Sequence, residues 1–127
     1  MKRTTVALFF CLALTLPMAT TLFAADHVTL RVVAVKTDNV DAYVKELAKG
    51  QALMKKLGSF ATIRVWRARF AGDHAGSIVV AVEYPSLMAM AKDDAATEAD
   101  ADYQAWIKGL DKLRTIVSDS LYTELKP

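Results

Sequence analysis

Residues 60–86 read FATIRVWRARFAGDHAGSIVVAVEYPS, and this stretch decides the fold. Residues 60–70 alternate as a strand does, the glycine-rich residues 71–76 can reverse the chain, and residues 77–84 form a second β-branched run. Pro85 ends that run, and Ser86 stands where it can cap a following helix. The stretch therefore predicts a β-hairpin that leads directly into a helix.

The segment before the hairpin predicts one strand and one helix. Residues 28–36 are β-branched or apolar at nearly every position, and Asp38 or Asn39 can cap a helix that begins directly after them. The next apolar side chains recur at helical spacing until Gly58, which stands where a left-handed C-cap belongs. Gly50 is a weak point inside this predicted helix, because glycine disfavours helix interiors.

A broken helix and a last strand are predicted after the hairpin. Residues 87–96 form the first helical part, an acidic run then predicts a break, and residues 118–125 form the strand. After the break, the apolar side chains share one face of an amphipathic helix, a pattern more typical of core packing than of a ligand site: Tyr103, Trp106, Ile107, Leu110 and Leu113.

The order β-α-β-β-α-β is the split βαβ arrangement of ferredoxin-like α+β folds. It predicts an antiparallel four-stranded sheet in the spatial order 4-1-3-2, with the helices on one face. We place Phe70 opposite Ser77 in the hairpin, which gives both faces of the sheet large apolar groups. One face then carries Ile63, Val65, Ile78, Val80 and Val82, and the other carries Phe60, Trp66, Phe70, Val79 and Ala81. Two apolar faces both need cover, so we expect a homodimer that forms through the sheets.

Residues 28–125 resemble the dimeric α+β barrel superfamily, as an exported member. The resemblance rests on the element order, on Glu83-Tyr84-Pro85-Ser86 at the strand-to-helix junction, and on Asp102-Tyr103-Gln104-Ala105-Trp106 where the second helix resumes. It implies two sheets that pack face to face around a pocket. Members of this superfamily include antibiotic-biosynthesis monooxygenases, haem-degrading monooxygenases, muconolactone isomerases and NIPSNAP-like proteins.

The haem-degrading activity is not implied by this resemblance. Those members use an Asn, a Trp and a His, and this chain has Trp66 but no Asn in its first strand and no His in its second helix.

The predicted hairpin register places Arg64 opposite Glu83, on the same face as Trp66 and Thr62. As a ligand pocket, Arg64 would hold an anionic group, Trp66 would stack on the ligand, and Glu83 would act as a general base, so Arg64 and Glu83 are the catalytic candidates. The alternative is an ordinary cross-strand ion pair, which is common in sheets and contributes little. Arg31 could join the same group, although the first strand is apolar on both faces.

The amino terminus predicts export to the periplasm or the medium. Lys2 and Arg3 precede an uncharged apolar stretch, and small residues end at Ala24 and Ala25, the layout of a secretory signal peptide. We place the signal at residues 1–24, with the cut after Ala24 or Ala25, and a single domain at residues 25–127. The alternative is an uncleaved anchor, since residues 6–25 carry no charge and about twenty residues can span a bilayer.

Removing the signal changes what the composition allows. Two of the 16 basic residues leave with it, so 14 basic side chains balance 14 acidic ones and no basic excess supports nucleic-acid binding. The single cysteine, Cys11, also leaves, which excludes disulfides and thiolate chemistry. No cofactor motif occurs, so we expect no cofactor. No apolar run after Ala25 is longer than residues 78–82, which is too short to cross a membrane, so we expect no membrane contact after cleavage.

One metal site depends on where the signal is cut. Cleavage after Ala24 would leave Ala25-Asp26-His27, whose amine, amides and imidazole can form a square-planar nitrogen set for Cu(II) or Ni(II). The alternative is that His27 is a chance residue near a frayed terminus.

The sequence as a whole indicates an exported domain that binds a small apolar or anionic molecule, or serves as an accessory protein, and that dimerises through its sheets. The enzyme alternative is a cofactor-independent monooxygenase or isomerase that acts on an anionic aromatic or polyketide-like compound.

Overall fold

The computed structural model describes residues 27–127, so the predicted signal peptide and its cut lie outside the described residues. The strands are β1 Thr29–Lys36, β2 Thr62–Arg67, β3 Ile78–Tyr84 and β4 Thr115–Thr123. The helices are α1 Val40–Lys56, α2 Leu87–Ala99 and α3 Ala101–Asp111. The four strands form one antiparallel sheet in the order β2-β3-β1-β4, which confirms the predicted ferredoxin-like topology.

The helix ends are set by the capping residues. The Asn39 side chain accepts from the Ala42 amide at 3.0 Å, and Ser86 accepts from the Ala89 amide at 3.0 Å. Asp100 has extended backbone angles (φ −95°, ψ 118°) and its carboxylate accepts from the Tyr103 amide at 2.7 Å, so it ends α2 and caps α3. Gly58 adopts a φ of 83°, as the predicted C-cap requires. The predicted break in the second helix is therefore Asp100, an extended residue that separates α2 from α3 and whose carboxylate caps α3.

The hairpin register differs from the prediction by two residues. Thr62 pairs with Glu83, and the hairpin closes at Ala68, whose backbone exchanges hydrogen bonds with Ser77 and Gly76 at 2.9 and 2.8 Å. The loop is longer than expected because residues 72–74 form a turn of 3-10 helix. The placement of Phe70 opposite Ser77 was therefore wrong.

The strand ends differ as well. Phe60 and Phe70 lie outside β2 and are 82% and 102% exposed, so neither belongs to a sheet face as predicted. The last strand begins three residues earlier than predicted and contains an irregularity opposite Ala34 and Val35. A bulge of this kind leaves no trace in an apolar alternation pattern.

A register shift of two preserves which side chains share a face. All three helices pack on one face, where the core joins Val33, Val35, Ile78 and Val80 of the sheet to helical side chains that include Tyr43, Leu47 and Leu110. The opposite face is covered by no other part of residues 27–127, and Trp66 on it is 50% exposed.

Gly50 lies where α1 packs against the Trp106 ring of α3. A Cβ atom at this position would lie 2.1 Å from Cζ2 of Trp106, so only glycine leaves room for the indole ring. The indole Nε1 of Trp106 donates to the backbone carbonyl of Glu46 at 2.9 Å. Gly50, which the sequence suggests is a weak point of the helix, is thus the position that makes space for the Trp106 indole.

None of the helices among residues 27–127 has the length and apolar character needed to span a membrane.

Candidate functional site

A cavity of about 100 Å³ lies between the sheet and the helices. This volume is several times what one water molecule needs and of the order that holds a single aromatic ring. Most of the wall is aliphatic and comes from both layers: Val33, Ile63, Val80 and Val82 from the sheet, and Leu47, Met54, Ile107 and Leu110 from the helices. A few convergent polar groups complete it, the usual composition of a small-molecule site.

Tyr84 is the most deeply buried of these polar side chains. It ends β3 on the helix-facing side of the sheet, is 4% exposed, and its hydroxyl makes no hydrogen bond to another described residue. Burial raises its pKa to about 12, the carboxylate of Asp94 adds to the shift, and Arg31 opposes it. At neutral pH the phenol therefore keeps its proton and can donate it to a ligand.

Two aromatic rings of α3 form the opposite wall. Tyr103 and Trp106 have ring centroids 5.1 Å apart at an angle of 55°, a tilted geometry that aromatic pairs favour. Burial raises the pKa of Tyr103 as well, with Asp94 contributing and Arg31 opposing. The cavity therefore offers two protonated phenols within one aromatic and aliphatic enclosure.

Arg31 and Asp119 form a bidentate pair on the cavity wall. Arg31 Nε donates to Asp119 Oδ1 at 3.0 Å and Nη2 donates to Oδ2 at 2.6 Å, and both side chains are partly exposed. They come from adjacent strands, since Asp119 is the register partner of Val33, two residues along β1 from Arg31. The hydrogen bond raises the pKa of Arg31 and lowers that of Asp119. The pair sets a negative charge against the Arg31 guanidinium and occupies two of its five N–H donors.

A second guanidinium reaches the cavity from the loop between α3 and β4. Arg114 donates from Nε and Nη2 to Asp111 Oδ1 at 3.0 and 2.7 Å, and lies 3.5 Å from the Tyr43 hydroxyl. Burial opposes its charge, but the hydrogen bonds with Tyr43 and Asp111 outweigh burial and raise its pKa. This arginine too is already paired with a carboxylate.

The structure does not bring the sequence-predicted pocket residues together. Arg64 pairs with Ala81, not with Glu83, so the predicted opposition of Arg64 and Glu83 was wrong. Both lie on the open face with Trp66, as diagonal neighbours that form no hydrogen bond or ion pair within the described residues. Arg31 lies on the other face of the sheet and cannot join them. A ligand role for Arg64, Glu83 and Trp66 remains a prediction about the open face.

His27 is exposed just before β1, and its proposed partners Ala25 and Asp26 lie outside the described residues. The metal site at the amino terminus therefore stays a prediction.

Sequence reasoning missed Tyr84, Tyr103, Asp119 and Arg114 as cavity residues. The alternation of β3 carries a signal for Tyr84, which comes after Val80 and Val82 on the helix-facing side. A polar group at the end of an apolar alternation set is a candidate for a buried site. Asp119 offers no such signal, because its face depends on the irregularity in β4.

No protein-family model matches the chain, and no curated protein matches it in sequence. Solved structures do match. SnoaB, a cofactor-independent oxygenase from Streptomyces nogalater, is 19% identical with a TM-score of 0.59, over 81% of this chain and 97% of SnoaB. A NIPSNAP family protein from Agrobacterium tumefaciens is 18% identical with a TM-score of 0.57, over 80% of this chain and 92% of that protein. The chain therefore has the ferredoxin-like fold of SnoaB and of this NIPSNAP family protein, and the resemblance to the dimeric α+β barrel superfamily is confirmed as one of fold.

Proposed function

We propose that this protein is an exported domain that binds a small aromatic molecule in the cavity between its sheet and helices, and that it dimerises through the open face of the sheet. The observation that carries the binding proposal is the Tyr84 hydroxyl, which lines the cavity without a hydrogen-bond partner among the described residues. A ligand with a hydrogen-bond acceptor could accept from this hydroxyl in place of water, and a hydrogen bond of this kind typically contributes about 0.5 to 1.5 kcal/mol.

The size of the cavity narrows the ligand. Sites for drug-sized molecules enclose about 300 to 1,000 Å³, whereas this one measures about 100 Å³. A one-ring compound fits, while a fused polycyclic compound would require the helices to move. The aromatic wall of Tyr103 and Trp106 can stack on such a ring.

Tyr84→Phe tests the binding proposal. A panel of one-ring phenols and amides is titrated while the fluorescence of Trp106, which lines the cavity, is monitored in a Trp66→Phe background. Loss of one hydrogen bond of about 1 kcal/mol should weaken binding about fivefold. The matched control is Tyr122→Phe, which removes a hydroxyl from the opposite face of the sheet. Equal affinity of the two variants would contradict the role of Tyr84.

The proposal of export rests on the first 25 residues, whose charged start, apolar stretch and small residues have the layout of a secretory signal peptide. Sequencing the amino terminus of protein purified from its host tests this part, and a chain that retains Met1 would contradict it.

Dimerisation rests on the open face of the sheet. No helix among residues 27–127 covers its apolar side chains, of which Trp66 and Tyr122 are half exposed: Leu30, Val32, Trp66, Val79 and Tyr122. A second copy of the same sheet would bury this surface, and apolar patches of this kind on single subunits commonly mark interfaces.

Trp66→Glu tests the dimer. A carboxylate within the buried interface should give a monomer or insoluble protein, because the charge has no partner there. Light scattering coupled to gel filtration measures the mass. Phe70→Glu is the matched control, since Phe70 is fully exposed outside the strands and should leave the dimer intact. A Trp66→Glu protein that remains a dimer would place the interface elsewhere.

The enzyme alternative, a cofactor-independent monooxygenase or isomerase, uses the same cavity. The fold of SnoaB favours it, and the aliphatic wall would keep water from a reactive intermediate. Both buried phenols keep their protons at neutral pH and can act as proton donors but not as general bases. Oxygen uptake on addition of a compound that binds would support the enzyme, and binding without turnover would support the binding domain.

A further inference from the structure

The charged groups around the cavity do not suit an anion. Both guanidiniums on its wall are already bonded to carboxylates, Arg31 to Asp119 and Arg114 to Asp111. Each positive charge in the cavity wall is therefore balanced by the negative charge of a neighbouring carboxylate. An entering carboxylate would find no free guanidinium among the described residues that line the cavity.

Two further carboxylates act on the same space. Asp93 and Asp94 of α2 are half-buried, and both lie close enough to influence the phenols of Tyr84 and Tyr103. Asp93 accepts a hydrogen bond from the hydroxyl of Ser59, which restricts the position of its carboxylate. Of the described charged groups that line the cavity, the one carboxylate, Asp119, is bonded to Arg31. The carboxylates of Asp93, Asp94 and Asp111 lie outside the lining, where their negative charge opposes that of the two guanidiniums.

We propose that Asp119 is a specificity-determining residue that makes this cavity select uncharged one-ring ligands and reject carboxylates. The inference rests on the proposed binding function and adds the ligand class to it. Asp119 acts by occupying both donor edges of Arg31 that face it, Nε and Nη2, in bidentate geometry.

The physical basis is a competition for Arg31. A ligand carboxylate would have to share Arg31 with Asp119 or displace it, and displacement gives up both hydrogen bonds of the bidentate pair. An uncharged amide or phenol needs no such displacement. It can accept a hydrogen bond from the Tyr84 hydroxyl while the Arg31–Asp119 pair stays intact. The same wall therefore favours one ligand and excludes the other, although the two have equal size.

Benzamide and benzoate are the probes, because they share one ring and nearly one shape and differ in charge. Dissociation constants are measured at pH 7 by NMR, from the change in the chemical shifts of the protein's backbone amides as each probe is added. The residues whose signals move locate the site, and we expect them to lie near Tyr84 and Asp119. We expect benzamide to bind the wild-type protein at least about tenfold more tightly than benzoate.

Three variants test the residue itself. In Asp119→Asn the guanidinium of Arg31 loses its counter-charge, so the preference for benzamide should fall at least about tenfold or reverse. Asp119→Glu restores the charge and should restore the preference. Asp73→Asn makes the same change of net charge in the exposed hairpin loop and should keep the wild-type ratio.

Each outcome has a separate meaning. If benzoate binds the wild-type cavity as tightly as benzamide, the specificity inference is overturned while the binding function stands. If Asp119→Asn keeps the wild-type ratio, Asp119 is not the determinant. If neither probe shifts resonances around the cavity, the proposed function fails and the inference fails with it. The wild-type ratio alone tests the ligand class even where the Asn variant does not fold.

Discussion

Gly50→Ala should lower the free energy of unfolding by about 2 kcal/mol, although alanine is the better helix former. The added Cβ would lie 2.1 Å from Cζ2 and 2.4 Å from Cη2 of Trp106, well inside van der Waals contact. Overpacking typically costs about 1 to 3 kcal/mol and exceeds the gain in helix propensity of up to about 1 kcal/mol. Because Trp106 also lines the cavity, the displaced indole should reduce ligand binding as well. Urea denaturation and probe titration measure the two effects.

Gly109→Ala is the matched control for this prediction. Gly109 is also a glycine inside a helix, but a Cβ there would meet nothing within 4 Å, so the variant should be neutral or more stable by up to about 1 kcal/mol. Trp106→Phe should then relieve part of the cost of Gly50→Ala, because the clashing ring atoms are gone. Equal effects of Gly50→Ala with and without Trp106 would show that the clash is not the cause.

Between pH 10 and 12 the protein should lose about 2 to 3 kcal/mol of stability that Tyr84→Phe does not lose. Burial, with a contribution from Asp94, raises the pKa of Tyr84 to about 12 in the folded state, whereas an unfolded tyrosine titrates near 10. Below pH 10 both states hold the proton and stability is unaffected. Above pH 10 the unfolded state releases it first, which favours unfolding until the folded phenol also ionises. Two pKa units correspond to about 2.7 kcal/mol.

Urea unfolding of both proteins at intervals from pH 8 to 12 measures this difference. At pH 8 the difference in the free energy of unfolding between the two proteins reports only the loss of the hydroxyl. The alkaline loss of each protein is therefore measured relative to its own value at pH 8. Tyr103, whose pKa is also raised by burial, should leave part of the slope in the variant. Parallel curves for the two proteins up to pH 12 would mean that the Tyr84 phenol is not buried in solution.

The order of strands and helices results from local patterns along the chain. The capping residues Asn39, Ser86 and Asp100 and the left-handed Gly58 act within one turn of their helices, and β-branched alternation acts within one strand. These short-range effects also specify which side chains share a face, which is why a register error of two residues left the faces of Ile63 and Trp66 unchanged.

The candidate site depended on contacts that span most of the chain. Arg31 and Asp119 are 88 residues apart, and Trp106 and the Glu46 carbonyl are 60 apart. Their meeting requires the register of β4 with its irregularity, and the crossing of α1 and α3 at Gly50. The residue pattern of a single strand or helix does not show how that element pairs or packs with the others. The sequence analysis therefore selected Arg64 and Glu83, on the open face, as candidates.

By itself, then, the sequence determined the ferredoxin-like topology, the helix caps and the two apolar faces, because each arises from interactions between residues close in the chain. Only the tertiary structure decided that the cavity lies under the helices, that Gly50 makes room for Trp106, and that Arg31 is bonded to Asp119. These features result from packing between elements, where a shift of two residues or one bulge changes which side chains meet.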